Sequence, residues 1–88
     1  MGEPLVVRMQ GTPNPNAAKV TLNRPVAAQA QTFRDPATAP SWAASLLAIE
    51  GVAQVFALND FITITKRPEA EWAVIGPAVE QVLSQAFA

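Results

Sequence analysis

Neither cysteine nor histidine occurs anywhere in the 88 residues. That double absence removes disulfides, thiolate nucleophiles, imidazole bases and the soft ligands of zinc and iron–sulfur sites together. Carboxylates, hydroxyls, amides and backbone groups are left as ligands, and these suit hard cations such as calcium or magnesium. A basic field is also missing. Six Lys and Arg against seven Asp and Glu give a net charge of −1, which offers nothing to draw counterions from a nucleic-acid backbone or to hold an anionic membrane. Long apolar runs are absent too: Leu5-Val6-Val7 is too short for a signal segment, and no stretch approaches the roughly 20 residues of a membrane span. The cytoplasm is the compartment these absences predict.

What is present suits a folded chain. Half of the residues are hydrophobic and 15% are charged, far from the disordered regime, while 8 prolines predict long irregular connections. A chain of this length buries roughly 60–65% of its unfolded surface, enough for one modest core, and a single domain over 1–88 is expected. Met1 to Pro4 is expected to fray. Leu5, Val7 and Met9 then alternate with Val6, Arg8 and Gln10, the period of a half-buried strand over 5–10. Thr12-Pro13-Asn14-Pro15-Asn16 breaks regular structure, because its prolines fix φ and push Thr12 and Asn14 toward extended backbone. Ala18, Val20 and Leu22 alternate with polar neighbours and predict an antiparallel return, ended by Pro25. Between Val26 and Ala39 the pattern is poor; Gln29–Phe33 reads as a short edge strand with Phe33 inward, followed by a turn at Arg34-Asp35-Pro36.

From Pro40 the period changes. Trp42, Leu46 and Ile49 fall at i, i+4 and i+7, predicting an amphipathic helix of about three turns that ends at Gly51, with Pro40 at its first position and Thr38 as cap. The stretch Ile49–Lys66 is the centre of the chain: a helix end, a strand over 53–58, a turn at Asn59-Asp60 and a strand over 61–66, with Ile62 and Ile64 expected inside. Trp72, Ile75, Val79, Val82 and Ala86 then mark a second helix. Glu69 and Glu71 are expected near its positive end, and Gly76-Pro77 is expected to kink it or to make it start near Pro77. The result is an α+β fold in the order ββα-ββα: one mostly antiparallel four-stranded sheet, with a possible short extra edge strand and both helices on one face. The other face stays wet, and an apolar one would mark a partner surface.

No catalytic constellation is visible. There is no Gly-rich phosphate loop and no nucleophile paired with a general base, so no enzyme is expected; an independent enzyme would need an apolar pocket with convergent titrating groups. Asn59 and Asp60 are fully explained by a turn. The Thr12–Asn16 loop presents amides from a stiffened backbone, which fits a recognition surface and a structural loop equally. Lys66-Arg67 reads as a solvated basic pair at a strand end, and Trp42 and Trp72 read as core.

Three stretches together, Thr12-Pro13-Asn14-Pro15-Asn16 with Lys19, Ile49-Glu50-Gly51-Val52 through Asn59–Lys66, and Trp72 with Ile75 and Pro77, give a chain that resembles the N-terminal domain of the Nfu/NifU-type iron–sulfur cluster scaffold proteins. In that family a separate C-terminal domain holds the cluster through a Cys-x-x-Cys motif. The resemblance therefore implies a stand-alone copy of the N-terminal domain with no cluster ligands of its own and no bound cofactor. It implies a non-catalytic accessory module that docks to proteins of iron–sulfur cluster assembly or to recipient apoproteins. The candidate interaction surface is Thr12, Pro13, Asn14, Pro15 and Asn16 with Asn59, Asp60, Lys66 and Arg67. Two alternatives stand beside it: a small protein binding iron or calcium through carboxylates such as Asp35, Asp60, Glu69 and Glu71, or a domain unrelated to cluster assembly.

Overall fold

Strand pairing organises the chain, and the computed structural model describes it over residues 4–87. The fraying expected of Met1 to Pro4 concerns residues 1–3, which lie outside the described residues. The elements run β1 (Val7–Gly11), β2 (Ala17–Leu22), β3 (Ala27–Phe33), α1 (Ser41–Leu47), β4 (Val52–Asn59), β5 (Phe61–Lys66) and α2 (Trp72–Phe87). β1 and β2 pair antiparallel from Val7↔Leu22 to Gly11↔Ala18, so the two prolines of the loop between them sit outside the ladder. β2 then pairs β5, β5 pairs β4, and β4 pairs β3, all antiparallel, giving the sheet order β1-β2-β5-β4-β3.

The possible extra edge strand is present, so the sheet has five strands and the element order is βββαββα rather than ββα-ββα. β3 is a full member seven residues long, beginning at Ala27 and not at Gln29. Its sequence hides it: only Ala27 and Phe33 keep some burial, and the register slips between Ala27 and Gln31. Backbone pairing with β4, not an apolar stripe, holds this edge. Phe33 does turn inward, meeting the Trp42 ring edge-on at 5.7 Å.

α1 is shorter than its periodicity suggests, closing at Leu47 with Ala48 as C-cap. Ile49 then sits in a turn, its N–H donating to Leu46 O and its O accepting from Val52 N–H. Gly51, with φ +96°, passes the chain into β4. A Cβ there would lie 2.7 Å from Ala70 Cβ, so backbone conformation and space both demand glycine. Pro40 is the N-cap rather than the first helical residue; its extended ψ lets its carbonyl accept from Ala44 N–H, with no side-chain cap. The Thr38 hydroxyl is engaged elsewhere, donating to Asp35 O.

α2 runs unbroken from Trp72 through Gly76-Pro77, so the helix neither starts at Pro77 nor waits for it. Proline costs one bond, the one that would reach Ala73 O, and tertiary packing outweighs it. Gly76 is buried and faces Met9 Sδ, where an added Cβ would sit at 3.7 Å. Glu69 and Glu71 precede the helix, whose first turn holds no acidic residue; the Glu71 carbonyl accepts from Val74 and Ile75.

One apolar cluster joins these parts. Val20, Leu22, Val55, Ala57, Ile62 and Ile64 from the central strands meet Leu46 of α1 and Ile75, Val79 and Leu83 of α2, so both helices cover the same face. Ile62 and Ile64 are both fully enclosed, as expected. Each large side chain so buried contributes about 1.5–3 kcal/mol.

Candidate functional site

Two prolines and two asparagines leave the Thr12–Asn16 loop few backbone donors of its own, and the fold ties it down with side chains. Thr12 Oγ1 accepts from Asn14 N–H at 3.2 Å and lies within donating reach of Asn14 O at 2.9 Å and Ala17 O at 3.0 Å. Asn14 Oδ1 accepts from Asn16 N–H at 2.9 Å, an Asx turn. Asn16 O accepts from Lys66 N–H at 2.8 Å, carrying the loop onto the end of β5. Across the gap to α2, Trp72 Nε1–H donates to Pro15 O at 2.9 Å.

Lys66 closes this clasp. It occupies the inward row of β5 with Ile62 and Ile64 and is only 8% exposed, so it is not the solvated cation its position at a strand end suggested. Its ammonium donates to Asn16 Oδ1 at 3.1 Å, Arg67 O at 3.3 Å and Pro68 O at 3.4 Å, and sits 5.9 Å from the Trp72 ring centre. Three carbonyl oxygens take the place of a carboxylate, which satisfies all three protons of the group. Beside the clasp, Met9, Gly11, Thr12, Pro15, Ala18 and Trp72 line an apolar cleft of about 330 Å³.

The remaining candidates lie largely outside this group. Asn59 and Asp60 lie at the far end of the six-residue β5, about 20 Å away at a strand's rise. Asn59 adopts φ +55°, as the turn requires, and its carbonyl accepts from Val26 N–H at 2.6 Å while Asp60 O accepts from Leu22 N–H at 2.8 Å. That turn borders an open cleft of about 600 Å³ with Arg24 and Pro25. Arg67 enters the clasp only through its carbonyl, which accepts from Lys66 Nζ, and it also borders a cleft of about 360 Å³ shared with Glu50, Glu69 and Glu71. Among the described residues, no group of three or more acidic side chains is arranged to hold a metal ion. Asp35 is spent locally, its Oδ1 accepting from Ala37 N–H at 2.9 Å.

The sequence pattern left one feature unassigned. On the helix-free face of the sheet, Phe56, Leu58 and Phe61 stand half-buried among Gln54, Thr63 and Thr65. The two Phe rings meet at 6.1 Å and Lys19 Nζ lies 4.6 Å over the Phe61 ring. The signal was the strand alternation itself, which puts Phe61 on the side opposite Ile62.

A family model described as scaffold protein Nfu/NifU N terminal matches residues 7–88. The chain belongs to that family. This Nfu N-terminal domain is 36% identical over 88 residues to the Drosophila willistoni protein named NFU1 iron-sulfur cluster scaffold homolog, mitochondrial, covering 96% of this chain and 30% of that one. It is 33% identical over 81 residues to conserved virulence factor C of Staphylococcus haemolyticus, covering 90% of this chain and 22% of that one. The domain thus spans less than a third of either relative. Among solved structures, protein SAV1430 from Staphylococcus aureus superposes with a TM-score of 0.78 at 30% identity, over 88% of this chain and 96% of that one. The NifU-like protein from Saccharomyces cerevisiae superposes with a TM-score of 0.80 at 21% identity, over 96% and 81%, a likeness of fold. The stretches that carry the family resemblance are those that build the clasp and the β4–β5 hairpin. Among the described residues, no helix is long and apolar enough to cross a membrane.

Proposed function

We propose that this Nfu N-terminal domain is a non-catalytic interaction module in iron–sulfur cluster assembly or delivery, docking to proteins that carry or receive the cluster. Family membership supports the pathway, since the Drosophila relative is named as a cluster scaffold. The cluster is cargo here, held by another chain or domain, because a sequence without cysteine or histidine supplies none of its usual ligands. The observation that carries the docking role is the helix-free sheet face, on which Phe56, Leu58 and Phe61 keep part of their surface in water. The Thr12–Asn16 loop, stiffened by its clasp to Lys66 and Trp72, presents exposed Pro13 with little ordering cost on binding.

The test is cross-linked affinity capture from extract with the domain as bait. Recovery of cluster-assembly proteins or iron–sulfur apoproteins is expected; their absence under cross-linking removes the reading.

A further inference from the structure

Three of the six cations of this protein, Arg8, Lys19 and Arg34, stand at the helix-free sheet face, while Lys66 is turned inward, Arg67 shares a cleft with carboxylates and Arg24 borders another cleft. None of the five strands contains an aspartate or a glutamate. The helix-free face instead carries cations. Arg8 lies between Val7 and Met9, which pack on the core, so it projects to the other side; Lys19 does the same between buried Ala18 and Val20. At the opposite flank Arg34 Nε donates to Gln54 Oε1 at 2.9 Å, reaching the same face from beyond β3. Between the flanks lie Phe61 on β5 and Phe56 and Leu58 on β4. The carboxylates gather on connections and helices: Glu50, Glu69 and Glu71 line one cleft, Glu80 is on α2, Asp35 caps its own turn, and Asp60 is at the hairpin end.

We infer that the helix-free sheet face docks an acidic amphipathic segment of a partner protein, with its apolar side chains on Phe56, Leu58 and Phe61 and its carboxylates on Arg8, Lys19 and Arg34. The inference rests on the docking role proposed above and supplies the chemistry of the partner. β1 and β3 are the two edges of the sheet, and the register sets Arg8 level with Leu58 but Arg34 level with Gln54, so the two stand about 23 Å apart on a diagonal across it, the reach of about seven extended residues. An apolar centre with cations at both flanks specifies acids at both ends of the segment. Lys19, resting over the Phe61 ring, is placed to exchange that contact for a carboxylate when the ring is covered. A few cations on a protein of net negative charge fit a short acidic peptide better than a polyanion, whose backbone repels the carboxylates elsewhere on the surface.

The experiment is a titration of the isotope-labelled protein, followed by amide chemical shifts, with a peptide of about 12 residues carrying glutamates at both ends and a Leu-Phe centre. Shifts centred on Arg8, Lys19, Phe56, Leu58, Phe61 and Arg34, weakening as salt screens the charges, support the inference. Arg8→Glu with Lys19→Glu, both on exposed side chains, is expected to weaken binding about tenfold. Three results overturn it: no shifts on this face, equal binding by a peptide with lysines in place of the glutamates, or tighter binding by an oligothymidine of similar length. The capture experiment repeated with the double variant separates the two readings. Equal recovery of cluster proteins by both baits overturns the acidic-segment inference and leaves the module standing. Recovery lost only in the variant supports both.

Discussion

Along β5 the two faces of one strand meet opposite fates. Ile62 and Ile64 are enclosed by both helices, while Phe61, Thr63 and Thr65 on the alternate positions remain partly in water. Backbone, register and neighbours are shared, so the difference comes from what covers each face. The contrast extends to lysine: Lys66 lies inward with three carbonyl partners, and Lys19 lies outward over a ring. One face is built to hold the protein together and the other is free to vary without unfolding it.

Substitutions can break that comparison. Ile64→Ala is expected to cost about 2–5 kcal/mol by urea unfolding, through lost transfer energy and a cavity, whereas Thr63→Ala stays within about 0.5 kcal/mol. Equal costs would mean that the outer face is also core. Gly51→Ala, on the covered side, is expected to cost about 2–4 kcal/mol, since it combines a φ of +96° with a contact at 2.7 Å. A thermal midpoint unchanged from wild type would show that this turn relaxes freely. Lys66→Met is expected to destabilise by about 1–3 kcal/mol because Asn16 Oδ1 and two backbone carbonyls lose their donor. Lys19→Met should leave the unfolding midpoint where it is, and a comparable loss at both lysines would erase the distinction. Phe61→Ala falls between the two faces, about 0.5–1 kcal/mol from its contact with the Phe56 ring, with the folded spectrum retained.

What could be read from sequence was local. Gly51 and Asn59 take positive φ as their neighbours in sequence indicated, and Ile62 and Ile64 are inside as expected, although the alternation in β5 alone left the choice of face open. β3 was anticipated only as a possible short edge strand over Gln29–Phe33, and its start at Ala27 was missed because a strand rich in alanine and glutamine has no buried stripe to mark its extent. α1 was overextended, since Ile49 stays on the apolar side even after the helix has given way to a turn. The loop's status was undecidable locally: the partners of Pro15 and Asn16 are Trp72 and Lys66, 57 and 50 positions away. Arg67, adjacent to Lys66, shares neither its burial nor its partners, which only the turn after β5 determines.

The bond from Trp72 to Pro15 has a kinetic consequence. Drawing together two points 57 residues apart costs a free chain about 3.6 kcal/mol in closure entropy, more than the roughly 1 kcal/mol that such a bond returns. The latch can therefore engage only after the sheet has already brought its ends side by side, late on the route to the native state. Trp72→Phe should quicken unfolding and leave the refolding rate untouched, so the latch governs how long a folded molecule lasts rather than how fast it forms.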